Sequence, residues 1–519
     1  MPELLPNHLQ GRWQTGTGEG AVLLDPVRGT PLVRVDASSL DLAAGFAFAR
    51  DTGGVALRSL TYRQRGKLLE AIVAVLQARR QDYDEIATAN SGTVKSDSAV
   101  DIDGAIYTLG HYARLAAALP DARFMPDGEP VALAKGSAFQ SQHLLVPSTG
   151  LALLINAFNF PAWGLWEKAG PALLSGVPVV VKPATATAWL TQRMVRDVID
   201  AGVLPPGALS VVCGSPAGLL DALEPFDVLS FTGSAETAGR LRSHDAITRR
   251  SVRMHVEADS INSAVLMPDA TPGSPAFELF VKELVREMTV KSGQKCTAIR
   301  RAFVPEVVYG AVAEAAAARL ARISVGDPRN EAVRMGALVS RAQLDSVRQG
   351  LALLRTEARV LHDGAAQPLI DADPAVACCI GPTLLGADTP EAVDGAAVLH
   401  DVEVFGPVAT LLPYRTLPQA LAGVRRGQGS LVASLYGADA APLAHSALDL
   451  ASHHGRVHVV SPDVAATHTG HGNVMPQSLH GGPGRAGGGE ELGGLRALNF
   501  YHRRAALQAA PAVLSALQA

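Results

Sequence analysis

The chain alternates between segments with helical and with strand-like spacing of apolar residues. In SLTYRQRGKLLEAIVAVLQARRQDYDEIATANSG (59–92), apolar positions recur at helical spacing and end in Asn-Ser-Gly, which predicts a helical region with a stop signal. Residues 143–184 read as strand, turn, strand, helix and strand, and residues 209–214 and 227–243 continue with strand, loop, strand and helix. Strands that alternate with helices predict βαβ units around a parallel sheet.

A second α/β series follows residues 252–267. Its amphipathic helix AFELFVKELVREMTV (276–290) leads directly into KSGQKCTAIRR (291–301), a segment with one cysteine. Near the end, the glycine-rich HGGPGRAGGGEELGG (480–494) is followed by strand-like LRALNFY (495–501) and a helix-like terminus. The pattern therefore predicts a second α/β domain that carries the cysteine.

Composition narrows the class of protein. The 519 residues are 48% apolar and 18% charged, which is typical of a large globular protein. A formal net charge of −4 without a long basic run gives no electrostatic basis for binding nucleic acid or an anionic membrane, so we expect a small-molecule partner. No stretch of about 18 apolar residues and no leader-like N-terminus is seen, and we expect a protein that is neither exported nor membrane-spanning.

The four cysteines have no spacing typical of a disulfide scaffold or a zinc site, which indicates the reducing cytosol. Cys296 differs from the others because its segment is polar, contains glycine and has basic residues on both sides. Such surroundings favour a reactive thiolate. A small packing residue is the other interpretation of this position.

Two further positions allow both a functional and a structural interpretation. Gly233 and Ser234, in FTGSAETAG (231–239), follow an apolar strand and open a helix. They form either a phosphate-binding turn or an ordinary serine-capped helix. Glu257 ends an alternating strand, where a lone carboxylate is more often solvated than catalytic.

Two other patterns receive no functional assignment. The formal GxGxxG of residues 482–487 lacks the preceding strand and following helix of a dinucleotide site, which predicts a flexible or close-packed loop. His468, His471 and His480 have no cysteine or carboxylate at a regular spacing. We interpret them as polar loop residues, and no metal site is expected.

Taken together, six segments resemble motifs of the aldehyde dehydrogenase superfamily, in the same order and over residues 20–505. They are NAFNFP (156–161), VVVKPAT (179–185), FTGSAETAG (231–239), HVEAD (255–259), GQKCT (293–297) and EVFGPV (403–408). The resemblance implies an aldehyde dehydrogenase fold, which is an α/β fold with a Rossmann-like cofactor domain, an α/β catalytic domain and a small β oligomerisation arm.

The resemblance also implies catalytic roles. Cys296 would attack the aldehyde as a thiolate, and the Asn159 amide with the Cys296 backbone N–H would stabilise the resulting oxyanion. After hydride transfer, Glu257 would activate the water that releases the acid from the Cys296 thioester.

Cofactor contacts are implied in the same way. Lys182 would contact the adenosine ribose, and Thr185 stands where many NAD-preferring members have a glutamate. Because a hydroxyl does not repel a 2′-phosphate, we predict that the cofactor is NADP. Glu403 would hold the nicotinamide ribose, with Phe405 and Phe158 near the ring. Gly233 and Ser234 would lie close to the pyrophosphate.

The predicted organisation has three parts. Residues 1–127 and 147–257 would bind NADP, residues 258–479 would form the catalytic domain, and residues 128–146 and 480–519 would form the oligomerisation arm and C-terminal tail. By analogy with the family we expect a homodimer rather than a monomer, with a tetramer less favoured.

Departures from the common pattern refine the expected substrate. The chain has EADSIN (257–262) where most members have Glu-Leu-Gly-Gly-Lys, and Lys295 precedes the nucleophile. These features resemble dehydrogenases of phenylacetate degradation and, more closely, of aerobic benzoyl-CoA degradation. The resemblance implies that a CoA-linked semialdehyde, 3,4-dehydroadipyl-CoA semialdehyde, is oxidised to its acid.

Other interpretations of the function stay open at this point. They are a general aliphatic aldehyde dehydrogenase, an acylating dehydrogenase, a binding protein without turnover, and a cysteine hydrolase with a nearby imidazole.

Overall fold

The structure, a computed structural model, describes residues 1–517, so the last two residues of the predicted tail lie outside it. The strands in chain order are β1 Glu3–Leu5, β2 Asn7–Leu9, β3 Arg12–Gln14, β4 Ala21–Leu24, β5 Pro31–Val35, β6 Met125–Ala132, β7 Gln140–Pro147, β8 Ala152–Ile155, β9 Val179–Lys182, β10 Leu209–Val211, β11 Val228–Thr232, β12 Arg253–Glu257, β13 Ser263–Leu266, β14 Arg301–Pro305, β15 Arg359–Asp363, β16 Thr383–Gly386, β17 Val408–Tyr414, β18 Ser430–Tyr436, β19 His454–Val460, β20 Leu479–Gly481, β21 Glu490–Leu492 and β22 His502–Ala509.

The α-helices in chain order are α1 Leu42–Phe48, α2 Val55–Ser59, α3 Tyr62–Ala78, α4 Arg80–Ser91, α5 Lys95–Ala117, α6 Trp163–Leu174, α7 Ala188–Asp200, α8 Ala235–Arg242, α9 Asp245–Thr248, α10 Pro275–Thr289, α11 Tyr309–Leu320, α12 Arg341–Leu354, α13 Glu391–Gly395, α14 Val398–Asp401, α15 Leu417–Arg425, α16 Ala440–Ala451 and α17 Pro511–Ala516. None of the helices in residues 1–517 is long and apolar enough to cross a membrane.

Two seven-stranded sheets organise the molecule, and they confirm the predicted α/β class. The first has the order β12-β11-β8-β9-β10-β2-β3 and is parallel from β12 to β10. The second has the order β15-β16-β17-β14-β13-β18-β19 and is parallel from β16 to β19. The central strands are buried on both faces, as expected where helices cover both sides of a parallel sheet.

The predicted helical region 59–92 is present as α3 and α4. Thr61 begins α3 with a reciprocal capping box to Gln64, and α4 ends at Gly92 in the left-handed conformation with φ 66°. The helix leading to the cysteine is present as α10, which begins after the cap Ser274. Local capping signals therefore placed these helix ends correctly.

The C-terminal region differs from the prediction. LRALNFY is not a strand but lies in a 3₁₀ helix, Gly494–Tyr501, and the strand β22 follows it. Leu498 and Tyr501 are buried three positions apart, which suits a helix of three residues per turn. β22, β7 and β6 form an antiparallel three-stranded sheet. The predicted strand pair near 128–146 is thus present, while its role as an oligomerisation arm and the domain boundaries stay predictions.

Candidate active site

The carboxyl ends of parallel strands bring the predicted residues to one edge of the first sheet. Thr232 ends β11 directly beside Glu257 at the end of β12, and Ile155 of β8 lies beside Lys182 at the end of β9. The NAFNFP segment begins after β8. Ligand sites of α/β proteins form at this edge because the chain leaves every strand there.

The nucleophile segment is held in an unusual backbone conformation. After α10, Lys291 and Ser292 have positive φ angles of 53° and 54°, which residues with side chains rarely adopt. Asp97 accepts a hydrogen bond from the Lys291 N–H at 2.8 Å, and the Ser292 hydroxyl donates to the Gly336 carbonyl at 3.0 Å. Such strained positions persist where surrounding contacts fix them, and they concentrate at functional sites.

Cys296 itself is positioned by Asn262, whose side-chain N–H donates to the Cys296 carbonyl at 2.7 Å and to the Ala298 carbonyl at 3.1 Å. Asn159 approaches from the other side, where its amide donates to the Gln294 carbonyl at 3.1 Å. One small cavity is lined by Cys296, Asn159 and Glu257 together. The structure therefore brings the three predicted catalytic residues together.

The charge around Cys296 is opposite to the sequence-based expectation. Burial raises the pKa of the thiol well above its usual value, and the Glu257 carboxylate raises it further. The flanking lysines do not offset this, because Lys295 is paired with Glu287 at 2.8 Å and Lys291 lies 3.7 Å from Asp101. The expectation of a basic environment around Cys296 was wrong, because each of the two lysine ammonium groups is paired with a buried carboxylate.

Glu257 lies in a buried contact that the sequence did not reveal. Burial disfavours its charged form, but His480, 3.1 Å away, and Lys168 outweigh that effect and lower the Glu257 pKa to about 2. The reactive atoms of Glu257, Cys296 and His480 lie within 4.8 Å of one another. This geometry could accommodate a metal ion, and the expectation of a metal-free site stays a prediction.

The interpretation of the histidines as polar loop residues was therefore wrong for two of the three. His480 begins the hairpin of β20 and β21 and is 3% exposed, and its ring packs against Trp163 with centroids 5.2 Å apart. His471 is fully buried and bonds to the Ser434 hydroxyl at 2.7 Å. The spacing of these histidines along the sequence does not reveal their burial, because it is the tertiary fold that places their rings in the interior.

The formal GxGxxG is the close-packed loop that supports this hairpin. The Ala258 N–H donates to the Ala486 carbonyl at 3.0 Å, and the Gly489 N–H donates to the Val256 carbonyl at 3.0 Å. A side chain at Gly487 would lie 2.3 Å from the Val256 carbonyl oxygen. The glycines thus allow the tail to pack directly on the strand that ends in Glu257.

Behind Glu257 lies a second group of polar residues. The Thr232 hydroxyl is 3.4 Å from the Glu257 carboxylate and accepts a hydrogen bond from the Lys168 ammonium. Lys168 lies 3.4 Å from Glu491, which accepts a second bond from the Ser230 hydroxyl. Sequence analysis missed these residues, although a Glu-Lys pair inside the otherwise apolar WGLWEKAGPALL was an available signal.

The Glu-Lys pair includes Glu167, one position before the lysine. This carboxyl is 2% exposed, and its oxygens lie within 4.8 Å of those of Glu257 and Glu491. Burial, followed by the charge of Glu491, raises the pKa of Glu167 well above its usual value. Burial and Glu491 therefore disfavour the charged form of Glu167 beside Glu257.

A separate pocket of about 370 Å³ contains Lys182. Burial lowers the Lys182 pKa, and no carboxylate within residues 1–517 forms an ion pair with its ammonium group. Arg240 and His244 line the same pocket, but Thr185 does not, since it begins the 3₁₀ turn Thr185–Thr187 beyond it. A half-buried cation without a partner suits an anionic ligand such as a nucleotide phosphate.

Gly233 and Ser234 connect β11 to α8. The Gly233 N–H donates to the Glu257 carbonyl at 3.1 Å, and the Ser234 hydroxyl accepts from the Thr237 N–H as a helix cap. Asp259 accepts from the Ala235 N–H at 2.9 Å. The turn therefore has the expected strand-to-helix geometry, but these three N–H groups already have partners, and the pyrophosphate contact stays a prediction.

The remaining predicted cofactor residues form one cluster. The rings of Phe158 and Phe405 meet edge to face with centroids 5.7 Å apart, and Arg300 lies over Phe405 at 5.5 Å. Glu403 accepts a bond from the Ser260 N–H at 3.0 Å, and burial raises its pKa to about 7. The structure places these residues together, and their contacts with a cofactor stay predictions.

An open cavity of about 260 Å³ leads from the surface to Cys296. One wall is α5, with Gly104 and Tyr107, and aromatic side chains of Phe160 and Trp163 form another. A nucleophile at the end of an aromatic-lined tunnel, with amide donors and a carboxylate beside it, can form and hydrolyse a covalent adduct of a carbonyl compound.

Comparison with known proteins decides the class of reaction. The family profile described as "Aldehyde dehydrogenase family" matches residues 13–505. The chain belongs to this family. It is therefore an oxidoreductase that acts on aldehydes, and its family uses NAD(P).

This aldehyde dehydrogenase is 56% identical over 481 residues to the 3,4-dehydroadipyl-CoA semialdehyde dehydrogenase of Aromatoleum evansii, covering 92% of this chain and 93% of the relative. It is 41% identical over 184 residues to Protein MaoC of Klebsiella aerogenes, covering 35% of this chain and 52% of that one. The crystal structure of lactaldehyde dehydrogenase from Escherichia coli superposes with a TM-score of 0.84 at 21% identity, over 98% and 99% of the two chains. The predicted fold is thereby confirmed.

Proposed function

We propose that this enzyme oxidises 3,4-dehydroadipyl-CoA semialdehyde to the corresponding acid with NADP, in aerobic degradation of benzoate through benzoyl-CoA. The observation that carries the proposal is the shared cavity of Cys296, Asn159 and Glu257 at the end of a tunnel, in a chain 56% identical to a dehydrogenase of that name. The general aldehyde chemistry follows from the family, and the CoA-linked substrate is the proposed refinement.

The first step is addition of the Cys296 sulfur to the aldehyde carbon, forming a thiohemiacetal. The Asn159 amide has a second N–H besides the one bonded to Gln294, and this N–H with the Cys296 backbone N–H would stabilise the oxyanion. One such donor typically changes the rate about a hundred- to thousandfold. Bound NADP would supply the hydride acceptor, and loss of hydride from the thiohemiacetal carbon would leave a thioester on Cys296.

Glu257 activates the water that hydrolyses the thioester. Contact with His480 keeps this carboxylate ionised and weakly basic. When that contact is broken, burial raises the Glu257 pKa and makes it a better base. The Thr232 hydroxyl donates to this carboxylate and accepts from the Lys168 ammonium, which pairs with Glu491, so this polar chain helps to keep Glu257 ionised.

The cofactor proposal rests on charge. Lys182 is a half-buried cation without a carboxylate partner in the described chain, and Arg240 adds a second cation to the same pocket. Thr185 brings no negative charge three residues after Lys182. These residues fit a nucleotide with a 2′-phosphate, whereas a ribose diol alone would leave the Lys182 ammonium unmatched. Arg240 already lies 3.7 Å from Glu236.

The proposed organisation follows the sheets. The strands of the first sheet lie in residues 1–127 and 147–257, proposed to bind NADP, and those of the second lie in 258–479, proposed as catalytic domain. Residues 128–146 with 480–519 are proposed as the arm and tail of a homodimer. A cytoplasmic location is proposed because all four cysteines are free thiols, as expected in a reducing compartment.

The variant Glu257→Gln tests whether Glu257 acts in thioester hydrolysis. We expect a burst of NADPH close to one per active site followed by slow turnover, because hydrolysis is impaired more than hydride transfer. Stopped-flow absorbance measures the burst, and Cys296→Ala is the control that should show none. Loss of the burst would place Glu257 earlier in the cycle and contradict the proposed role.

Product analysis separates the competing reactions in the same preparation. Free acid without CoA consumption supports hydrolysis, and an acylating enzyme would instead need added CoA for turnover. Equilibrium binding of NADP without reduction would indicate a binding protein. His480 supplies the imidazole that a cysteine hydrolase requires, and ester cleavage without any nucleotide would favour that alternative.

A further inference from the structure

The tunnel wall formed by α5 continues as an exposed surface outside the cavity. Gly104 and Tyr107 line the tunnel. On the same face of the helix, Gly110 lies one turn beyond Tyr107, and Arg114 lies two turns beyond it. Ten residues of helix separate Gly104 from Arg114, which corresponds to about 15 Å. A ligand that leaves the tunnel along α5 would therefore pass all four positions.

Two interior glycines give this face its shape. Glycine is among the least favourable residues inside a helix. Packing does not require it here, because a Cβ at Gly104 would meet only Trp163 at an ordinary 3.5 Å. At Gly110 a Cβ would meet only the flexible end of Arg114, at 3.3 Å. Neither glycine carries a side chain that would stand over this face, and the Arg114 guanidinium lies beside Gly110.

Tyr107 lies on this face between the two glycines, and Arg114 lies one turn beyond Gly110. The Tyr107 side chain is 45% exposed, and the Arg114 guanidinium lies over its ring at 6.0 Å. No hydrogen bond or ion pair holds the Arg114 side chain within the described part of the chain. An exposed aromatic ring next to a free guanidinium is suited to an aromatic base and to phosphate groups.

The negative charge nearest to this surface is compensated in part. Asp103 also lines the tunnel mouth, and Arg80 binds it through two hydrogen bonds of 2.6 and 3.1 Å. Asp84 on α4 is bonded to the same guanidinium, so one cation serves two carboxylates. Binding of a phosphorylated substrate here therefore depends on the charge of Arg114.

We propose that the Tyr107–Arg114 face of α5 binds the nucleotide end of the CoA substrate. The pantetheine arm runs along α5 past Gly104 and Gly110 and delivers the acyl chain to Cys296, while Arg114 contacts a phosphate and Tyr107 contacts the adenine. This inference rests on the proposed function and names the part of the chain that makes the enzyme select a CoA-linked aldehyde.

The test compares two substrates in the same holoenzyme, the CoA-linked semialdehyde and hexanal, with saturating NADP. Arg114→Ala should raise KM for the CoA-linked substrate about tenfold or more, because a charge-assisted contact is lost, and should leave hexanal kinetics unchanged. Gly110→Leu should act in the same selective way by displacing the Arg114 guanidinium, which lies 3.3 Å from the position of an added Cβ. Arg322→Ala is the matched control, since Arg322 is also exposed and unpaired in residues 1–517.

Binding provides a readout without turnover. Calorimetric titration with adipyl-CoA, a saturated analogue of the product, should show weaker affinity for Arg114→Ala than for Arg322→Ala, with a smaller dependence on salt. Equal affinity of the two variants, or an equal loss of hexanal activity, would overturn the proposed surface. If the wild-type enzyme itself does not prefer the CoA-linked aldehyde, the proposed function fails instead, and the two failures are thus distinct.

Discussion

Replacement of Lys295 by methionine tests whether this lysine activates the nucleophile or supports the fold. Its ammonium group lies 2.8 Å from both oxygens of Glu287, and the two residues are 2% and 1% exposed. The sequence suggests activation because Lys295 directly precedes Cys296. The structure instead assigns its charge to a buried carboxylate on α10.

The expected magnitude follows from that burial. Removing one partner of a buried ion pair typically costs about 3–5 kcal/mol, because the other charge is left without compensation in the interior. Replacing both partners by apolar residues is often nearly neutral. We therefore expect Lys295→Met to lower stability by about 3–5 kcal/mol, and the double variant Lys295→Met/Glu287→Leu to recover most of the loss.

The assay combines urea and thermal unfolding with the pH dependence of Cys296 alkylation by iodoacetamide. A lower unfolding midpoint for Lys295→Met, recovered in the double variant, with an unchanged alkylation profile is the predicted result. Wild-type stability together with an alkylation profile shifted to higher pH would show that the lysine charge acts on the thiol. That result would refute the reasoning.

Three further predictions concern charge at the site. Alkylation of Cys296 should increase up to and beyond pH 9, because burial and Glu257 raise the pKa of the thiol. Glu257→Gln should move this pH profile to lower pH. A plateau of the alkylation rate near pH 7 in the wild-type enzyme would contradict the prediction. Burial raises the pKa of Glu403 to about 7, so a contact of its carboxylate with a ribose hydroxyl should weaken below pH 7. The fluorescence-measured Kd of NADP should therefore increase by up to about fivefold from pH 7 to 6, but not in Glu403→Gln. Thr185→Glu should lower the ratio of NADP to NAD activity, and an unchanged ratio would leave the selection to Lys182 and its pocket.

The sequence was sufficient for the fold because local and periodic signals agree there. Alternating strands and helices predicted the parallel sheets, and the capping box at Thr61 and the left-handed Gly92 are encoded within a few residues. The 3₁₀ helix Gly494–Tyr501 was missed because its short apolar stretch fits a strand equally well. Only its packing against the rest of the chain selects the tighter helix.

The site was predictable where a residue lies within a motif and unpredictable where it acts through space. Cys296, Asn159 and Glu257 belong to recognisable segments, and the structure brings them together. His480 approaches Glu257 from 223 positions further along the chain, and Lys295 turns away from the thiol next to it. Sequence neighbours do not determine which charges face each other in the interior, because side chains on successive residues point in different directions.

The central claim is oxidation of a CoA-linked aldehyde with NADP, and nicotinamide reduction measures it most directly. The purified enzyme is given the CoA-linked semialdehyde or hexanal, each with NADP or NAD, and the near-ultraviolet absorbance is followed. The account predicts efficient reduction of NADP with the CoA-linked substrate and a much lower kcat/KM for the other three combinations. Equal oxidation of hexanal would contradict the CoA assignment, and no reduction in any combination would contradict the proposed reaction.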